Sequence, residues 1–207
     1  MFLSRVEIPW PAARNPYDLH RQLWRLFPGQ NPEARIGGED DRQGFLFRVE
    51  ENLIGRSARV LVQSRLAPIG ADGLVLLGSR DFDPHPTTGQ RLAYVLTSNP
   101  VKTITDANRE AKPGKRSEKC RVPLIKEQEQ QQWLVRKLSG AAAIESCVVH
   151  SNVPLYFRKG NGGGKLVTVT FEGVLCVTEP GRLTTLLENG IGPAKGFGCG
   201  LLLVRRA

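Results

Sequence analysis

The chain has 207 residues, enough for one large domain or two small ones of about 100 residues each. Hydrophobic residues make up 40% and charged residues 24%, which excludes a disordered or fibrous chain. The net charge of +9 is unevenly placed: residues 1–90 hold 11 Arg, no Lys and 11 acidic residues, and residues 91–207 hold the other 18 basic and 9 acidic ones. So basic a second half points to a polyanionic partner, most often nucleic acid; a merely solvated basic surface is the plain alternative.

Residues 2–8 alternate as a strand does, and the prolines at 9 and 11 close it. This start lacks the unbroken apolar core of a signal peptide, and no apolar run approaches the roughly 20 residues that cross a bilayer. A cytoplasmic protein with no membrane contact is expected. Asn15-Pro16 reads as a helix start, with Asn as the N-cap and Pro at the first helical position, and the helix runs to about residue 27 before Pro28-Gly29. Residues 44–49 and 59–64 read as strands and 74–77 as a short buried strand. Asp83-Pro84-His85-Pro86 reads as a linker.

In the second half, 91–98 is a strand, 99–125 a basic connection and 126–139 a helix. Residues 144–153 and 155–158 are extended. A glycine-rich turn at 160–164 leads into a strand over 166–177. Pro180 opens a helix that Gly190 closes, and 201–204 is the last strand. The order β-α-β-β-α-β is the ferredoxin-like, or RRM-like, unit, and the first half is compatible with a more degraded copy. The expected class is therefore α+β, two tandem ferredoxin-like domains, with residues 1–86 carrying the first helix and residues 87–207 forming the basic domain.

On that first helix, Leu19, Leu23 and Leu26 share one face, which must meet the core. Tyr17, His20, Arg21 and Trp24 share the opposite, outward stripe. An imidazole moves protons near neutrality, a phenol donates a hydrogen bond, and a guanidinium pairs with phosphate. The same stripe could equally be plain surface. His85, between two prolines, and His150, in a strand, are weaker candidates. Cys120, Cys147, Cys176 and Cys199 lie 27, 29 and 23 residues apart, unlike the close pairs of a zinc site, so they are expected to be reduced and mostly to pack as small hydrophobes. No metal site and no cofactor is expected: there is no HExxH, no P-loop and no carboxylate cluster for Mg²⁺. A nuclease built from these residues would use the 2′-OH of RNA as its nucleophile, which DNA lacks.

Residues 190–201 read Gly-Ile-Gly-Pro-Ala-Lys-Gly-Phe-Gly-Cys-Gly-Leu. By itself this is a loop where backbone approaches a ligand or a neighbouring element closely. Gly196, Gly198 and Gly200 alternate where a strand is expected to begin, which would put them on one bare face. The segment also resembles the C-terminal glycine-rich motif of the CRISPR-associated RAMP proteins. Asn15-Pro16-Tyr17-Asp18-Leu19-His20-Arg21 with 23–28, the segment 98–103, the segment 120–126 and Phe171-Glu172-Gly173-Val174-Leu175 resemble, in order, motifs of the CasE branch, which processes precursor CRISPR RNA for the type I-E Cascade complex. The resemblance covers essentially the whole chain.

That resemblance implies two tandem ferredoxin-like domains and a metal-independent cut at the 3′ base of a repeat stem-loop. The 2′-OH attacks the adjacent phosphate, leaving a 2′,3′-cyclic phosphate and a 5′-OH. It implies that His20 is the general acid/base group and Tyr17 its partner, and that Gly190, Gly192, Lys195, Gly196, Gly198 and Gly200 form the glycine-rich loop. The implied partners are the CRISPR repeat stem-loop, as precursor and as mature guide, and other Cascade subunits; alone the chain is expected to be a monomer. Residues 102–126 hold 8 basic and 3 acidic residues. With Arg21 on the helix and the hairpin at 158–165, they make Lys102, Lys115, Arg116, Lys119, Arg158, Lys159 and Lys165 the expected RNA contacts. A non-catalytic RRM-like stem-loop binder and a purely structural subunit remain as alternatives. The low aromatic content, 7%, disfavours base stacking on an open sheet.

Overall fold

The computed structural model describes residues 1–30, 44–105 and 119–207. Two four-stranded antiparallel sheets organise them. The first has the order β2-β3-β1-β4, from β1 (Phe2–Pro9), β2 (Phe45–Leu53), β3 (Ser57–Ser64) and β4 (Val75–Asp81). The second has the order β12-β5-β11-β8, from β5 (Arg91–Ser98), β8 (Ala142–Ser151), β11 (Val169–Val177) and β12 (Leu202–Arg206). Both are the ferredoxin-like order, with the first and third strands of each unit at the centre.

In β1 the alternation works as a pleat requires: Ser4, Val6 and Ile8 are buried, while Arg5 and Pro9 face out. The short α1 (Trp10–Ala13) leads to α2 (Pro16–Trp24), whose start follows from Asn15: its side chain accepts from the Tyr17 N–H at 3.4 Å, with Pro16 at the first turn. Leu19, Leu23 and Leu26 sink into a core with Val6, Ile8, Phe45, Phe47, Val60 and Val62.

The second unit is the more complete copy. It has α3 (Glu127–Leu138) and α4 (Pro180–Asn189) on one face, packed through Trp133, Leu134, Leu138, Leu183 and Leu187 onto Leu96, Phe171 and Leu175. Two hairpins are inserted: β6 (Val101–Thr105) with β7 (Lys119–Pro123), and β9 (Leu155–Lys159) with β10 (Gly162–Leu166). In the first unit, residues 65–74 supply turns and one isolated bridge where a second helix would stand. Pro68, Gly70 and Gly73 account for that, since neither residue type sustains a helix.

Four expectations change. The strand expected as short and buried at 74–77 is β4, which runs on to Asp81 and, as an edge strand, is mostly exposed. The connection 99–125 contains a paired hairpin. Gly162, Gly163 and Gly164 pair with Lys159, Arg158 and Phe157 as strand, so the turn itself is confined to residues 160–161. The expected single strand over 166–177 divides into β10 and β11 at residues 167–168. The two units meet at Leu46, Leu61 and Leu201, with Leu3 and Leu203 against them. The buried Gln63 amide donates to the Leu187 carbonyl at 2.7 Å, and Arg65 pairs with Glu188 at 3.2 Å.

Candidate nuclease site

His20 occupies the middle of α2 and is half-buried. Its ring lies 5.4 Å from Phe45, 6.0 Å from Phe47 in a near-parallel stack, and 6.0 Å from Trp24 edge-on. Phe45 and Phe47 share one face of β2 because residues two apart in a strand point the same way. That face is the one α2 covers. The apolar nest lowers the imidazole pKa below its ordinary 6.5, and burial alone is the cause. At neutral pH the ring is therefore neutral and able to accept a proton.

On this helix the outward stripe expected from the sequence is divided. Trp24 is only 8% exposed, with its ring 5.0 Å from Phe45, so it belongs to the core. A helical wheel gives the angle of a side chain but not what covers it, and here β2 covers that side too. Tyr17 is half-buried, and Arg21 is exposed beside Asp18 at 3.9 Å.

The β9–β10 hairpin comes from the second unit and closes on the start of α2. Lys159 Nζ sits 5.3 Å above the Tyr17 ring, a cation–π contact. The Asn15 amide donates to the Arg158 carbonyl at 3.1 Å and accepts from the Arg158 N–H at 3.2 Å. Phe157 reaches Phe197 at 4.6 Å between ring centres, and Phe197 belongs to a single 3₁₀ turn, Lys195–Phe197, next to His20. Tyr17, His20, Arg158, Lys159 and Gly196 are thus gathered at one place by two units of the fold.

The glycine-rich loop does not start a strand, which corrects the expected alternation. Gly198 and Gly200 have φ of +81° and +92°, so they are turn glycines in the left-handed region rather than one face of a pleat. A Cβ on Gly198 would meet the Phe47 ring at 3.2 Å; one on Gly200 would meet the Ile191 carbonyl at 2.9 Å. One on Gly190 would strike the Leu46 methyls at 2.8 Å, and one on Gly192 the Trp133 ring at 2.8 Å. These four hold the loop against both units. Gly196 alone borders the site: its Cβ would lie 3.6 Å from the His20 ring. Lys195 turns inward. Its ammonium donates to the Asn189 carbonyl, and its pKa is lowered by burial and by Lys137 nearby.

The remaining expected contacts scatter. Lys165 lies on β10 over the Tyr156 ring at 5.8 Å, and Lys102 pairs with Glu129 of α3 at 3.6 Å. Lys115 and Arg116 lie outside the described residues, and Lys119 is described only as the start of β7. His85 is exposed beside Asp83 and His150 faces Glu172, both away from the nest around His20. Cys199 is buried, its thiol pushed up to about 12 by burial, and packs as a small hydrophobe. Phe45, Phe47, Phe157 and Phe197 escaped the sequence reading, although the two-residue spacing of the first pair was a signal.

Tandem ferredoxin-like units, with a desolvated imidazole on α2 and a cationic hairpin from the second unit over Tyr17 of the same helix, define the class of protein by its fold. The chain belongs to the family described as CRISPR associated protein, whose model matches residues 1–206. It is 39% identical over 202 residues to the CRISPR system Cascade subunit CasE of Escherichia coli K-12, covering 98% of each chain. The crystal structure of Cas6e from that strain matches with a TM-score of 0.84 at 37% identity, covering 100% of both chains. The CRISPR-associated endoribonuclease Cse3 of Thermus thermophilus is 31% identical over 228 residues, covering 99% of each. A solved structure of Cse3 bound to a 19-nt RNA matches with a TM-score of 0.76 at 27% identity, covering 99% of this chain and 100% of that one.

Proposed function

We propose that the protein is an endoribonuclease that cuts CRISPR repeat transcripts at the 3′ base of the repeat stem-loop, without metal, and keeps the mature guide RNA as a Cascade subunit. The observation that carries this reading is His20, held neutral by the Trp24, Phe45 and Phe47 rings beside a cationic hairpin. A neutral imidazole takes the proton of the 2′-OH as that oxygen attacks the adjacent phosphorus. The P–O5′ bond breaks, leaving a 2′,3′-cyclic phosphate, and the departing oxygen takes a proton to become the 5′-OH. Tyr17, three residues earlier on the same helix, supplies a hydroxyl to the scissile phosphate. Arg158, Lys159 and Lys165 bring positive charge to the RNA backbone.

The same reading divides the chain at residues 86/87 into a unit that carries the chemistry and a basic unit that carries most of the binding, and takes the isolated chain as a monomer. Its similarity to a Cascade subunit and to an endoribonuclease supports both the activity and the assembly. No described helix is long and apolar enough to cross a membrane. The non-catalytic alternative fares worse: an RRM-type platform needs open rings on its sheet, and Phe45, Phe47, Tyr94 and Phe171 are all buried.

The test is a repeat stem-loop incubated with the protein in EDTA, beside the same RNA carrying a 2′-deoxy sugar at the scissile position. Cutting of the first to a cyclic-phosphate end, with none of the second, is the expected result. Equal cutting of both would end the 2′-OH mechanism, and loss of cutting in EDTA would end metal independence.

A further inference from the structure

Asn15 does more than cap α2. Its carboxamide makes four hydrogen bonds in one consistent orientation. Oδ1 accepts from the Tyr17 N–H at 3.4 Å, which is the capping bond. The same oxygen accepts from the Arg158 N–H at 3.2 Å, and Nδ2 donates to the Arg158 carbonyl at 3.1 Å. Nδ2 also donates to Asp18 at 2.7 Å. The amide thus pairs with the backbone N–H and C=O of Arg158 as a neighbouring strand would, across 143 residues of sequence.

What it joins gives this bond its consequence. On one side is the first turn of the helix that carries Tyr17 and His20. On the other is the hairpin whose Lys159 rests over the Tyr17 ring. The hairpin also touches the site through the Phe157–Phe197 ring contact. Beside the contact of Lys159 with the Tyr17 ring, the hydrogen bonds of Asn15 fix the start of α2 to the hairpin.

We infer that Asn15 is a positioning residue for cleavage: it seats the cationic hairpin on the catalytic helix, so that RNA phosphates held by the hairpin are presented to Tyr17 and His20. This rests on the endoribonuclease reading above. Misplacing reacting groups by about an ångström costs on the order of a hundredfold in rate, so loss of this bond should appear in the chemical step rather than in binding.

The test is Asn15→Ser, because serine caps a helix about as well as asparagine but is too short to reach Arg158. In the full chain, Tm should stay within about 3 °C of the parent. RNA Kd should stay within about twofold, while the single-turnover cleavage rate at saturating repeat RNA falls between about tenfold and a hundredfold. Hydrogen exchange of the Arg158 amide, read by NMR without RNA, should accelerate while the amides of α2 keep their protection. A parent-like cleavage rate despite faster Arg158 exchange would overturn the positioning role. Unchanged Arg158 exchange would overturn the contact itself. An inactive parent protein would instead count against the endoribonuclease reading, and the exchange arm would still decide the contact.

Discussion

α2 and α3 hold equivalent places in the two ferredoxin-like units, yet they are built for different work. α3 buries Trp133, Leu134 and Leu138, and its buried Gln130 amide donates to the Leu124 carbonyl at 2.8 Å, while Glu127, Arg136 and Lys137 are exposed. α2 buries Leu19, Leu23 and Trp24 but places His20 where burial is partial and aromatic. The charge is distributed the other way, with the excess of basic residues in the second half. One unit therefore provides a tuned imidazole and the other provides cations, and the site exists only where the hairpin of the second reaches the helix of the first. On the reading proposed above, the two units divide proton transfer from phosphate binding.

The glycines around His20 sharpen that division most. Gly196→Ala adds a methyl at ordinary contact distance from the imidazole, with no left-handed φ to strain it. It should leave Tm unchanged yet slow cleavage about tenfold or more by occupying the face where RNA must lie. Unaltered cleavage would show that RNA approaches His20 from elsewhere. Removing both Arg158 and Lys165 should leave the chemistry in place and weaken binding, flattening the log–log salt dependence of affinity by about one to two units. An unchanged slope would take the hairpin out of the RNA footprint. Smallest in function is Gly198→Ala: its φ of +81° and its contact with Phe47 should cost about 1–2 kcal/mol, lowering Tm by about 3–6 °C, while the folded fraction still cleaves. Loss of cleavage with an unshifted Tm would move Gly198 from support into the site.

How far these features could be read from sequence depended on whether the cause was local. The Asn15-Pro16 start of α2, the Pro180 start and Gly190 end of α4, and the central strands β5 and β11 follow from caps and alternation, which act over a few residues. β4 followed only in part: a strand was expected at 74–77, but not its extent to Asp81 or its exposure, because an edge strand needs only one partner and tolerates exposure on both faces. His20 and Tyr17 were visible as a stripe, but the covering of Trp24 and the aromatic nest come from β2, more than twenty residues away in sequence. The glycine loop was visible as a composition, and the alternation of Gly196, Gly198 and Gly200 was misread as the start of a strand. Its backbone is dictated by what each glycine meets, namely Leu46, Trp133, Phe47 and the Ile191 carbonyl, and these are tertiary neighbours. The link between Asn15 and Arg158 is of the same kind.

The central claim is that a burial-neutralised His20 moves the proton. It is tested most directly by single-turnover cleavage of the repeat stem-loop across pH, for the parent and for His20→Ala. Because burial lowers the imidazole pKa, the parent rate should rise with pH as His20 loses its proton and then level off, with the midpoint of the rise below the ordinary 6.5. His20→Ala should lose about 10²–10⁴ in rate and the pH-dependent rise with it, while binding RNA as the parent does. A variant that cleaves at the parent rate, or that keeps the parent's rise with pH, would contradict the account.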